Sequence, residues 1–174
     1  VRRITEFISE QQLAERIAAV GADIRRDAGP DTPVHLICVL KGAFMFLADL
    51  MRAIDGPTTC DFIVARSYAG TTTTGQVQML KDLDHAIDGR YVVVVEDIVD
   101  TGLTLSHLQA VFRTRKPAAL KTACLLSKPS RRTVDVPVDY VGFTIEDKFV
   151  VGYGLDFDEA YRNLPFIGVV EGVG

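Results

Sequence analysis

The chain has 174 residues, 48% of them hydrophobic and 24% charged, which is enough apolar material for one substantial core. A formal net charge of −4 argues against a general nucleic-acid-binding surface. No apolar run approaches the roughly 20 residues that cross a bilayer, so no membrane partner is expected.

Along the chain, Ser9 and Gln12 form a capping-box pattern, and Leu13, Ile17, Val20 and Ile24 then mark one face of a helix ending near Gly29-Pro30. Val34 to Leu40 reads as a buried strand, Lys41-Gly42 as a tight turn, and Ala43 to Ile54 as a mostly apolar helix. Thr59 to Ala65 is the next strand. The stretch SYAGTTTTG, Ser67 to Gly75, has no hydrophobic period and reads as an exposed mobile loop before a short strand at Val77 to Leu80. After a central strand from Tyr91 comes a helix to about Arg115, then a strand at Lys121 to Leu126, a polar loop from Arg131-Arg132 to Pro137, and short β segments at Asp139 to Thr144 and Phe149 to Gly152. Strands alternating with helices predict an α/β fold with a parallel sheet covered on both faces. The whole chain, 1–174, reads as one domain, with the two ends, roughly 1–10 and 145–174, packing as a small hood over the carboxyl edge of the sheet. Cys38, Cys60 and Cys124 lie in apolar contexts without metal-ligand spacing and read as buried thiols of a reducing cytoplasm. His35, His85 and His107 are scattered, which argues against a zinc site.

The most specific segment is YVVVVEDIVDTGLTL, Tyr91 to Leu105. Tyr91 to Val95 is β-branched and apolar, as expected of a strand buried on both faces. Burying Glu96 and Asp97 unpaired would cost several kcal/mol, roughly, so both acids are expected where the strand emerges, at the edge where open α/β sheets bind ligands. Asp100, Thr101, Gly102 and Thr104 then place small and hydroxyl-bearing residues at a helix start. Backbone N–H groups there form an anion pocket, and glycine lets the backbone approach a phosphate. Taken in isolation, the bland alternative is an Asp100 or Thr101 N-cap beside solvated strand-end acids.

The full string, a hydrophobic run, Glu-Asp, two residues, Asp-Thr-Gly, one residue and Thr, resembles the phosphoribosyl-diphosphate motif of type I phosphoribosyltransferases. The resemblance extends over nearly the whole chain to the hypoxanthine(-guanine) branch of the purine-salvage enzymes, in its compact bacterial form. It implies a central parallel sheet flanked by helices, with a small hood subdomain. It also implies phosphoribose binding by Glu96, Asp97, Asp100, Thr101, Gly102, Leu103 and Thr104. Leu103 departs from several relatives, which carry lysine or another polar residue there.

Four other segments carry the resemblance. Leu40, Lys41 and Gly42 match the turn that binds pyrophosphate, often after a non-proline cis peptide. Ser67 and Tyr68 match the lid over the pyrophosphate. Lys128, in LLSKPSRRT, resembles the lysine that donates to the exocyclic oxygen of a 6-oxopurine. In DKFVVGYGLDFDEAYRNLP, Phe149 resembles the aromatic that stacks on the base and Val150 the residue whose carbonyl meets the base edge. There too, Asp156 matches a magnesium ligand beside the purine site and Arg162 a pyrophosphate contact. Asp158 and Glu159 read as solvated acids.

The implied reaction moves phosphoribose from 5-phospho-α-D-ribose 1-diphosphate to N9 of hypoxanthine or guanine, with Asp100 as the catalytic base at N7. Mg2+ is the implied cofactor, held by Asp156 with Glu96 and Asp97 near the ribose hydroxyls. A cytoplasmic homodimer or homotetramer is implied as well. A xanthine-preferring enzyme is the nearer alternative. The other is a regulator of the same fold that binds RNA, against which the acidic balance and Lys128 with Phe149-Val150 count.

Overall fold

The computed structural model describes residues 2–68 and 76–173. The elements run β1 (Ile4–Ile8), α1 (Glu10–Ala28), β2 (Val34–Leu40), α2 (Phe44–Ala53), β3 (Thr58–Tyr68), β4 (Gln76–Lys81), β5 (Tyr91–Val99), α3 (Leu103–Arg113), β6 (Ala119–Ser127), β7 (Tyr140–Thr144), β8 (Val150–Val151) and β9 (Ile167–Val170), with a 3₁₀ turn at Pro129–Arg131. The Ser9 hydroxyl accepts from the Gln12 N–H while the Gln12 side chain accepts from the Ser9 N–H, so α1 starts on a complete capping box.

The main sheet has the order β4-β3-β2-β5-β6-β7, with β4 alone antiparallel to its neighbour. Its central strands are mostly apolar on both faces because both are covered, with His35 in β2 and Glu96 and Asp97 in β5 as the exceptions. On β2, Val34, Leu36 and Cys38 pack towards α1 and α2, and Ile37 and Val39 towards α3; on β5, Val93 and Val95 alternate in the same way with Val92 and Val94. From β2 the chain proceeds to β3 on one side, and later from β5 to β6 and β7 on the other. The crevice between the carboxyl ends of β2 and β5 is therefore the topological switch point, where such sheets take ligands. The turn at 41–43 and the turn at 100–102 border it. A second sheet, order β1-β9-β8, is antiparallel throughout and joins the two ends of the chain, with Ile4 opposite Val170 and Val150 opposite Val169.

Two expectations need correction, and one alternative falls. First, β5 does not end at the acids: it runs to Val99, because β6 extends beside it with Glu96 opposite Cys124 and Val99 opposite Ser127. Glu96 is accordingly buried, at 6% exposure, rather than emergent. Second, Ser67 and Tyr68 belong to the ladder and not to a loop, since Val77 and Gln76 pair with them; the rest of that stretch, 69–75, lies outside the described residues. The bland alternative falls, since neither Asp100 nor Thr101 caps α3. The cap residue is Gly102, at φ 88°, with no side-chain hydrogen bond. Of the cysteines, Cys38 and Cys124 are buried as expected, but Cys60, near the start of β3, is only partly so. No helix among the described residues is long and apolar enough to cross a membrane.

Candidate active site

The turn after β5 builds a small cradle. A cavity of about 80 Å³ is lined by Glu96, Val99, Asp100, Thr101, Gly102 and Thr104, among others. Gly102 is required there twice over: its φ is left-handed, and a β-carbon would sit 2.8 Å from Val136 Cγ1. The first turn of α3 holds no acidic residue and no side-chain cap, so the positive end of the helix opens on the cradle. The Leu103 N–H donates to Thr101 Oγ1 at 3.3 Å, and the Leu103 side chain lies exposed beside it.

The paired acids leave β5 from opposite faces, as adjacent strand residues do, yet their carboxyls stay within hydrogen-bonding reach of each other. Glu96 lines the cradle near α3, whereas Asp97 lies against Gly42 before α2. Burial, and next the charge of Asp97, push the Glu96 carboxyl well above the usual range. Burial also raises Asp97, offset in part by the Ile98 N–H, which its Oδ1 accepts at 2.6 Å, and by Arg162.

Across the crevice, the Leu40–Lys41 peptide is cis. Gly42 is wedged between the Asp97 carboxylate on one side and Gly154 on the other, where a β-carbon on Gly154 would meet the Gly42 carbonyl at 2.5 Å. Lys41 Nζ contacts Glu159 Oε2 at 3.1 Å, and Arg162 Nη2 lies 3.4 Å from Glu159 Oε1 and 3.4 Å from Asp156 Oδ1. Lys41, then Arg162, hold the Glu159 carboxyl below its ordinary range. Glu159 is solvated, as expected from sequence, and it also bridges the two cations. The backbone explains how it reaches them, since Asp158, Glu159 and Tyr161 all adopt left-handed φ in the tight chain reversal after Asp156. Arg162 also donates from Nη1 to the Gly154 carbonyl at 2.7 Å, while its buried Nε–H has no hydrogen-bond partner among the described residues.

On the third side, Lys128 is 8% exposed, with its N–H bonded to the Val99 carbonyl at 3.0 Å and its Nζ 3.5 Å from Asp147 Oδ1. Phe149 is 38% exposed and meets Phe157 edge to face, ring centres 5.3 Å apart; Arg2 covers the other aromatic at 4.5 Å. Val150 is buried in β8. The sequence reading passed over Arg131 and Arg132 as loop residues, yet Arg131 Nε donates to Asp100 Oδ1 at 3.0 Å, and Arg132 binds the carbonyls of Val99 and Asp100 at 2.7 and 2.9 Å. Tandem arginines directly after a strand-end lysine were the only available signal.

Lys41, Gly42, the Glu96–Thr104 segment, Asp156 and Arg162 thus gather around one crevice, and Lys128 is joined to its β5 side. Ser67 and Tyr68 sit at the far end of β3 on the same carboxyl edge. Burial pushes the Cys38 and Cys124 thiols up to about 12, so neither is a nucleophile at neutral pH. The described residues hold no cluster of three or more His, Cys, Asp or Glu side chains able to encage a metal.

The family model for the phosphoribosyl transferase domain matches residues 4–158, and the chain belongs to that family. Among curated relatives, it is 46% identical over 166 residues to the hypoxanthine-guanine phosphoribosyltransferase of Bacillus subtilis, covering 95% of this chain and 92% of that one. It is 47% identical over 168 residues to the hypoxanthine phosphoribosyltransferase of Escherichia coli, covering 94% and 93%. The crystal structure of a hypoxanthine-guanine phosphoribosyltransferase from Bacillus anthracis superposes with a TM-score of 0.93 at 50% identity, covering 98% of this chain and 99% of the other.

Proposed function

We propose that this protein transfers the phosphoribosyl group of 5-phospho-α-D-ribose 1-diphosphate to N9 of hypoxanthine or guanine, giving the nucleoside monophosphate and pyrophosphate. The observation that carries the purine assignment is Lys128: an ammonium donor, nearly buried, bonded through its own N–H to Val99 at the end of β5, with an exposed Phe149 ring just before β8. An ammonium has donors only, so it pairs with a 6-oxo group and leaves a 6-amino group mismatched.

The roles follow from position. The N–H groups and hydroxyls of Thr101 to Thr104 take the 5-phosphate at the positive end of α3. Glu96 and Asp97 face the ribose hydroxyls. Leu40, Lys41 and Gly42 and the Arg162 guanidinium receive the diphosphate, and Arg162 has an unspent Nε–H to offer it. As the C1–O bond lengthens, negative charge grows on the diphosphate and these cations stabilise it. Asp100 accepts the N7 proton as N9 attacks C1. Phe149 stacks on the base, with Val150 at its edge. Ser67 and Tyr68 begin the lid, and the three-stranded sheet serves as a hood; together they keep water from the oxocarbenium-like centre.

Mg2+ fits this donor set. Asp156, partly exposed at the mouth of the crevice with Oδ1 3.4 Å from Arg162 and Oδ2 accepting the Glu159 N–H at 2.9 Å, is a hard carboxylate that would hold the ion with substrate oxygens and water. Bound there, the ion supplies charge neutralisation for the departing diphosphate. Glu96 and Asp97 act on it only through the ribose. We further infer a cytoplasmic homodimer or homotetramer, with no nucleic-acid partner.

Lys128→Gln tests the purine assignment. Glutamine offers both a donor and an acceptor, so kcat/KM for hypoxanthine should fall by about 100-fold or more while the discrimination against adenine narrows. Unchanged discrimination would remove Lys128 from the purine site.

A further inference from the structure

Two arginines follow Lys128 within four residues, and both turn back towards Asp100. Arg132 works on the backbone. Its Nη1 donates to the carbonyls of Val99, Asp100 and Lys128 at 2.7, 2.9 and 3.4 Å, and its Nη2 donates to Ser127 Oγ at 2.8 Å. One guanidinium therefore ties the main chain of Asp100 to that of Lys128. Arg131 works on the side chains. Its Nε donates to Asp100 Oδ1 at 3.0 Å, and its Nη1 lies 3.6 Å from Asp147 Oδ2. The other oxygen of Asp147 lies 3.5 Å from Lys128 Nζ. The four side chains Asp100, Arg131, Asp147 and Lys128 thus form one alternating line of charge whose two ends are the proposed purine-facing groups.

We propose that Arg131 is a positioning residue for purine transfer: it fixes the Asp100 carboxylate and, through Asp147, the Lys128 ammonium at one relative orientation, so that N7 and the 6-oxo group of the base are met together. This rests on the proposed roles of Asp100 and Lys128. Stability is not what the arrangement supplies, since the side chains of Arg131 and Asp100 are 49% and 43% exposed, and pairs this open add little to folding. What it supplies is a narrowed choice of rotamers at two groups that must act at once, the kind of constraint that turnover rewards. Arginine is needed because its fork reaches two carboxylates in different directions; a lysine at 131 is a single point charge and holds one of them.

The test is a double-mutant cycle with labelled hypoxanthine, sensitive enough to count the slow variants. Arg131→Gln, which keeps the stem, should lower kcat by about 3- to 10-fold, with KM for the diphosphate sugar and the melting temperature unchanged. Arg131→Lys should recover part of the loss. In an Asp100→Asn background the same Arg131→Gln change should lower kcat distinctly less than in the parent, because one of the two groups it orients is already disabled. An equal loss in both backgrounds, or no loss in the first, overturns the positioning role while leaving the base assignment standing. Full activity of Asp100→Asn alone overturns the base assignment, and with it the inference.

Discussion

The Asp97 carboxylate lies against the α-carbon of Gly42, so closely that a β-carbon at position 42 would overlap Oδ2. This contact joins the turn after β2 to β5, the two strands that flank the switch point, and sets the width of the crevice where ribose and diphosphate are proposed to meet. Gly42→Ala should therefore push Asp97 off its position. We expect KM for the diphosphate sugar to rise about 10-fold or more, with a stability loss of about 1–3 kcal/mol. Unaltered steady-state kinetics would separate the crevice from that contact.

Burial, and next the charge of Asp97, raise the Glu96 carboxyl well above its ordinary range. A carboxyl whose folded pKa is raised keeps its full contribution to stability below the unfolded value, 4.5, and loses it as pH climbs towards the folded one. Glu96→Gln removes this loss. Thermal melts between about pH 5 and 8 should show the variant gaining on the parent as pH rises; parallel curves would mean that Glu96 is ionised in the fold.

Asp61 has the opposite sign. Burial alone would raise it, but its carboxylate accepts from the N–H groups of Phe62, Asp84 and His85, with Lys81 near, and the balance is a lowered pKa. Its stabilisation is present above the ordinary carboxylate value of 3.8 and is lost as pH falls through the lowered one. Asp61→Asn should cost about 1–3 kcal/mol at pH 7 by denaturant unfolding and progressively less in acid. A penalty that does not vary with pH would contradict the charge-assisted account.

Helix α1 crosses α2 at Gly21, where a β-carbon would meet the Ala53 carbonyl oxygen at 2.5 Å. Gly21→Ala improves helix propensity by about 1 kcal/mol yet should destabilise the protein by about 1–3 kcal/mol, measured by urea unfolding, because backbone must yield. Net stabilisation would show the helix pair to be loosely packed.

What the sequence made legible was local. Val34 to Leu40 reads as a strand from its unbroken apolar run, and Ser9 with Gln12 marks the start of α1, because periodicity and capping are written in neighbouring residues. The end of β5 was not legible: two acids ordinarily stop a buried strand, and only β6, 28 residues on at the Glu96–Cys124 pair, extends the ladder past them. Strand β1 presents mostly exposed residues and finds its partner 166 residues away, opposite Val170. In the site, a motif announced the residues of the cradle, whereas Glu159, Arg131 and Arg132 gain their meaning from contacts across loops that no local pattern encodes.

The central claim is a transferase for 6-oxopurines. Its most direct test is pyrophosphate release by the purified protein from 5-phospho-α-D-ribose 1-diphosphate and magnesium, with hypoxanthine, guanine, xanthine and adenine supplied one at a time and then in competition. Rapid release with hypoxanthine or guanine, little with xanthine and none above background with adenine is the expected result. Release with adenine as fast as with hypoxanthine, or with none of the four, would contradict it.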